Sequence, residues 1–116
     1  MIQCKRVYDT AAPEDGYRVL VDRLWPRGIK KETLAYNEWC KTLTPSTELR
    51  NAFHGEAVDF AGFSELYRAE LQPNRAEGIR LAHLAQQQTL TLLYGARNTE
   101  QNHALVLAEW LRGLTR

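Results

Sequence analysis

Residues 90–103 read LTLLYGARNTEQNH. Leu90–Tyr94 is a mostly apolar run of strand length, interrupted only by the β-branched Thr91, the pattern of a strand buried on both faces. Gly95–Asn98 then makes a tight loop. Asn98 or Thr99 is placed to cap a helix, with Gln101 three residues after Asn98 as a capping box requires. The helix that follows sets Leu107, Trp110, Leu111 and Leu114 along one stripe. A buried strand that runs through a short loop into an amphipathic helix is the repeating unit of an α/β fold.

The rest of the chain repeats this theme. Ile2–Tyr8 alternates in part and reads as a short edge strand. Tyr17–Arg23 carries Val19, Leu20 and Val21 in a row, a second buried strand. The Asp9–Gly16 loop between them holds Pro13 and Gly16 and is too short for a helical crossover, so the second strand is expected to hairpin back. Leu34–Cys40 fits either a strand or a helical turn or two. Thr44 before Pro45 has the form of a helix start, with Leu49, Ala52 and Phe53 on one face and Gly55 at the end. Asp59 caps a helix with Phe60, Phe63, Tyr67 and Leu71 inward, which Pro73 stops. Asn74 is placed to cap a third helix carrying Leu81, Leu84 and Ala85 on one face. The expected architecture is a small single α/β domain over residues 1–116, a short and mostly parallel sheet of about four strands with helices packed on it.

Composition narrows the function. The chain has 116 residues, 15 Lys plus Arg and 14 Asp plus Glu, giving a net charge of +1; 44% of residues are hydrophobic and 25% charged. Disordered and fibrous classes are excluded by these values. No stretch approaches the ~18 apolar residues of a membrane span, and no leader pattern opens the chain. A near-zero net charge argues against a general nucleic-acid coat. The total hides a gradient: residues 1–31 sum to +3, residues 32–85 to −3 and residues 86–116 to +1. Cys4 and Cys40 lie far apart with no C-x-x-C pair, which fits a reducing, cytoplasmic setting and small packed thiols.

Ligands of open α/β sheets bind beyond the carboxyl ends of the strands. Two such ends are polar here, VDRLWPRG (Val21–Gly28) and YGARNTEQNH (Tyr94–His103). In a parallel sheet they open on one edge. Arg23, Arg27, Arg97 and Asn98 then bind an anion beside a helix start, since guanidinium grips phosphates and carboxylates in a fork. Asp22 and His103 are the expected proton-moving pair; an imidazole titrates near neutral pH. Trp25 and Trp39 either stack on a flat ligand or pack inward. No phosphate-binding glycine loop, serine elbow or metal-ligand spacing is present, so no metal and no cofactor is expected. The leading expectation is a domain that binds, and as an enzyme transforms, a small anionic molecule of phosphate or nucleotide type. Alternatives are a nucleic-acid-binding accessory domain using the basic N-terminal third, and a non-catalytic protein-interaction module using the acidic middle.

VDRLWPRG, TPSTELR (Thr44–Arg50), FHGE (Phe53–Glu56) and LTLLYGARNTEQNHALVL (Leu90–Leu107) together resemble the YeaO-like branch of the domain of unknown function 488 family. The resemblance spans nearly the whole chain and implies a small bacterial cytoplasmic α/β domain, without implying a reaction. The wider family carries an Asp-x-Arg near an early strand end, loosely matched by Asp22 and Arg23. It also carries a Cys-Ala-Glu and a Cys-His-Arg around the last strand and helix. Here Tyr94 stands at the first cysteine position, and Asn102-His103-Ala104 replaces Cys-His-Arg. Thiol chemistry does not carry over, and an aspartate–arginine–histidine site remains.

Overall fold

The computed structural model describes residues 1–115. Four strands, β1 (Ile2–Arg6), β2 (Tyr17–Leu20), β3 (Glu38–Trp39) and β4 (Leu90–Tyr94), form one sheet in the order β1-β4-β2-β3. Every pairing is parallel, with Cys4 beside Leu92 and Val19 on the other side of the same residue. The helices are α1 (Thr47–His54), α2 (Phe60–Leu71), α3 (Arg75–Gln87) and α4 (His103–Gly113).

β4 takes the centre because it alone is apolar enough to be buried at all five positions. The expected hairpin from β1 to β2 does not form. β2 lies beyond β4 and runs parallel to both. The segment Val7–Gly16 returns the chain to the start of the sheet through a 3-10 turn at Pro13–Asp15. A five-residue strand is short, and extended chain covers about 3.3 Å per residue, so no helix is needed for the return. Gly16 makes the re-entry possible: its φ is +62°, and a Cβ there would lie 2.3 Å from the Thr89 carbonyl oxygen.

Side chains alternate across the sheet and build two cores. On one face Val19, Val21, Leu90 and Leu92 pack with Phe63, Tyr67, Leu81, Leu107 and Leu111 from the helices. On the other, Val7, Leu20 and Leu93 lie under Trp25, Ile29, Leu34 and Trp39. The cover on this second face is a long loop, Val21–Asn37, organised around Trp25. Its indole N–H donates to the Ile29 carbonyl at 2.6 Å, and its ring meets Tyr36 and Trp39 edge-on. Trp39 ties the loop down by donating to the Asp22 carbonyl at 2.7 Å. β3 is only two residues long, which resolves the ambiguous Leu34–Cys40 segment as a short edge strand.

Three helix starts differ from the sequence expectation. α1 is capped by Ser46, whose hydroxyl oxygen accepts from the Leu49 N–H at 3.1 Å. Thr44 instead closes a preceding turn by donating to the Lys41 carbonyl at 2.7 Å. Glu70 selects the later start by accepting from both the N–H and the hydroxyl of Ser46. α4 begins behind Asn102, whose side chain accepts from the Leu105 N–H at 3.1 Å. Asn98 uses its side-chain oxygen on the N–H groups of Glu100 and Gln101, an Asx turn ahead of the helix. Asp59 caps α2 as expected. Asn74 precedes α3, but its amide donates to the Thr42 carbonyl instead of capping.

Candidate functional site

Parallel strands put all their carboxyl ends on one edge, so the two polar loops meet there. Between them and α1 lies a cleft of about 770 Å³. Five of the six residues expected from the sequence line it: Asp22, Arg23, Arg27, Arg97 and His103. Asn98 does not, because its side chain is spent on the Asx turn. Arg6 and Tyr8 from the end of β1, and Arg50, Phe53 and His54 from α1, also line the cleft. Arg6 lies at a strand end that the hairpin expectation turned away. Arg50, Phe53 and His54 share a helix face at i, i+3 and i+4 spacing, a signal that is visible but does not say what the face meets.

Asp22 and His103 form the floor. Asp22 Oδ2 accepts from the Gly95 N–H at 2.9 Å. A Cβ at Gly95 would lie 2.9 Å from that oxygen, so glycine is what lets the carboxylate reach the backbone. His103 Nε2 lies 3.0 Å from Asp22 Oδ1 and 3.1 Å from the Val21 carbonyl oxygen. Both neighbours can only accept, so Nε2 carries a proton. That N–H is aligned on Val21, and Asp22 Oδ1 stays buried without a hydrogen bond. The expected pair is thus in contact, and it also ties the end of β2 to the first residue of α4.

The walls are arginine. Arg6 donates through Nε to the Ala96 carbonyl at 2.9 Å and lies 4.7 Å over the Tyr8 ring. Tyr8 in turn donates to the Arg27 carbonyl at 2.8 Å. Arg23 reaches the Pro45 carbonyl through Nε at 3.3 Å. Arg50 Nε is buried without a partner. Among the described residues none of these five arginines, Arg6, Arg23, Arg27, Arg50 and Arg97, forms an ion pair. Asp22 is the one carboxylate in the lining.

Chemistry of other kinds lies elsewhere. Cys4 donates to the Ala104 carbonyl, and burial pushes its thiol up to about 11. Burial raises Cys40 as well. Neither thiol is poised as a nucleophile. Among the described residues one group could hold a metal by spacing, Glu38, Cys40 and Glu77. It does not line the cleft, and Arg80 already bridges both carboxylates.

A family model described as the inactive DUF488-N3 subclade matches residues 1–115. The chain belongs to this DUF488 subclade. It is 69% identical over 113 residues to the uncharacterized protein YeaO of Escherichia coli (strain K12), covering 97% of this chain and 98% of that protein. It is 38% identical over 112 residues to the uncharacterized protein Rv3073c of Mycobacterium tuberculosis, covering 97% and 94% respectively. No solved structure matches. In this DUF488 chain the two positions where the wider family carries cysteine hold structural residues. Tyr94 is buried at the end of β4, and Asn102 is the buried cap of α4. Within this DUF488 chain's cleft, guanidinium, imidazole and carboxylate are the groups on offer. No helix among the described residues is long and apolar enough to cross a membrane.

Proposed function

We propose that this protein binds a small anionic molecule of phosphate or nucleotide type in the cleft at the C-terminal edge of its sheet. The observation that carries the reading is the convergence of five arginines, none of them ion-paired, on one cavity of ligand size. Unpaired like charges held together repel one another, and an anion offsets that repulsion while each fork hydrogen bond to it adds about 1.5–3 kcal/mol. The start of α4 adds a positive partial charge at the floor. The description of the subclade as inactive weighs toward binding without turnover. Two free cysteines fit a reducing compartment, and a cytoplasmic location belongs to this reading.

The test is a thermal-shift and calorimetric screen with phosphate, nucleoside monophosphates and organic acids. A true ligand at about 100 times its dissociation constant stabilises the fold by about 2.7 kcal/mol. The double variant Arg27→Ala, Arg97→Ala is expected to lose that shift. Binding unchanged in the double variant, or no binder in the screen, sinks the proposal. Oligonucleotide binding that falls steeply with salt would favour the nucleic-acid alternative instead.

A second reading gives Asp22 and His103 a proton-moving role on the bound anion. The 3.0 Å contact and the unpartnered Asp22 Oδ1 favour it. It requires turnover of a bound ligand that His103→Gln abolishes while leaving affinity intact.

A further inference from the structure

We infer that the cleft selects an anion with two linked charged groups, a diphosphate or nucleoside diphosphate, over a single orthophosphate. This rests on the anion-binding reading above and names the ligand class for that site.

The arginines fall into two sets held on separate parts of the frame. Arg6, Arg27 and Arg97 belong to the strand ends: Arg6 hooks to the Gly95 and Ala96 carbonyls, Tyr8 joins β1 to Arg27, and Arg97 follows Ala96. Arg23 and Arg50 belong to the α1 side: Arg23 hooks to Pro45 just ahead of the helix, and Arg50 sits on it. Each hook spends part of a guanidinium on backbone and leaves other N–H groups of the fork over. Arg27, Arg50 and Arg97 spend none of theirs on another side chain or on a carbonyl among the described residues.

One orthophosphate has four oxygens and a guanidinium fork takes two at a time, so the arginines of one set are enough to satisfy it. It would settle on one set and leave the other uncompensated. A diphosphate carries a second group for the second set, joined at fixed spacing, so the second contact forms without a second loss of translational freedom. Volume points the same way, since about 770 Å³ is far more than a lone phosphate fills. The surplus has an apolar lining. Phe53 is half-buried, stacks on Phe63 at 4.5 Å and shares the cleft with Pro26, Pro45 and Trp25. That surface suits the flat base of a nucleotide.

Titration calorimetry at one fixed ionic strength, with orthophosphate, pyrophosphate, AMP and ADP, tests the inference. Pyrophosphate is expected to bind at least about tenfold tighter than orthophosphate, and ADP tighter than AMP by a similar factor. Arg50→Gln and Arg97→Gln, one from each set, should each weaken pyrophosphate about tenfold and orthophosphate less than about threefold, because orthophosphate can use the set that remains. Arg50→Lys keeps the charge without the fork and should recover only part of the loss; it also serves if Arg50→Gln fails to fold by circular dichroism. Equal affinities for orthophosphate and pyrophosphate overturn this inference and leave the anion-binding proposal standing. Failure of all four anions to bind removes both.

Discussion

Lys5 and Arg18 project from one face of the sheet and share Asp15, whereas the five arginines at the sheet's C-terminal edge share no carboxylate, Asp22 in their cleft being turned to backbone and His103. In the first cluster Asp15 and Arg18 are 3% and 6% exposed, and every charge has a partner. Arg18 pairs with Asp15 and donates to the Ala35 carbonyl at 2.6 Å, while Lys5 reaches Asp15 at 3.1 Å. Gln3 and Thr91, in register with Arg18 across β1 and β4, complete the network. Cations buried with their counter-ion serve the fold. Cations gathered in a cleft without one are what the anion-binding proposal rests on. The comparison is therefore open to attack on both sides.

The largest effect is expected from Asp15→Asn. Removing one partner of a buried pair leaves the other charges uncompensated, at a cost of about 3–5 kcal/mol at neutral pH. Burial by itself would raise the Asp15 carboxyl. The Ala12 N–H, the Lys5 ammonium and the Arg18 guanidinium outweigh it and hold the group below its usual value. A carboxylate depressed in the folded state stabilises above its unfolded pKa of about 3.9, and the gain is lost as pH falls through the lower folded value. Urea unfolding should therefore show the parent and variant far apart at neutral pH and converging in acid. A gap below about 1 kcal/mol at neutral pH would place this network with ordinary surface pairs and dissolve the contrast.

The opposite outcome is expected at the cleft. Arg27 and Arg97 are exposed and unpaired, so the double variant Arg27→Ala, Arg97→Ala should unfold within about 0.5 kcal/mol of the parent in anion-free buffer. Relief of like-charge repulsion makes a small gain the expected sign. A loss above about 1 kcal/mol would mean that these arginines hold the loops together and that the cleft is structural.

How far the chain announced this contrast differs between its two halves. Runs such as Val19–Val21 and Leu90–Tyr94 declare buried strands because apolar side chains on both faces leave no other stable placement. That Asp22, Arg23, Arg27, Arg97 and His103 line one cleft was legible once the strands were taken as parallel, since topology alone brings their ends together. Arg6 and Arg50 were not, because joining the cleft depends on where β1 and α1 dock. The Asp15 network was hidden for the same reason: its partners lie on β1, β2 and β4, and Asp15 reads locally as a loop residue. Asn98 illustrates a subtler limit. The sequence reading names Asn98 or Thr99 as the cap of the last helix, whereas the structure uses Asn102, and local chemistry suits all three. What separates them is burial. Asn102 sits 2% exposed beneath the cleft, while Asn98 remains in solvent.

The smallest effect sharpens the comparison most, because it needs no knowledge of the ligand. Sulfate is a divalent tetrahedral anion that a guanidinium fork accepts as it does phosphate. Replacing chloride by sulfate at constant ionic strength, at a sulfate concentration near its dissociation constant, would stabilise the parent by about 0.4 kcal/mol. In a domain of this size that raises Tm by about 1.5–2 °C. Sulfate also stabilises proteins generally by exclusion from their surfaces, but that effect is indifferent to two arginines. The informative quantity is thus the difference between the parent and the Arg27→Ala, Arg97→Ala variant. The Asp15→Asn variant supplies the control, since its cleft is intact and its sulfate response should match that of the parent whatever its stability. Equal Tm rises in parent and double variant would assign the effect to exclusion or to the α1-side pair, Arg23 and Arg50, and leave Arg27 and Arg97 without a demonstrated guest. A rise in parent and Asp15→Asn alone would separate charges that stabilise the fold from charges that await a ligand.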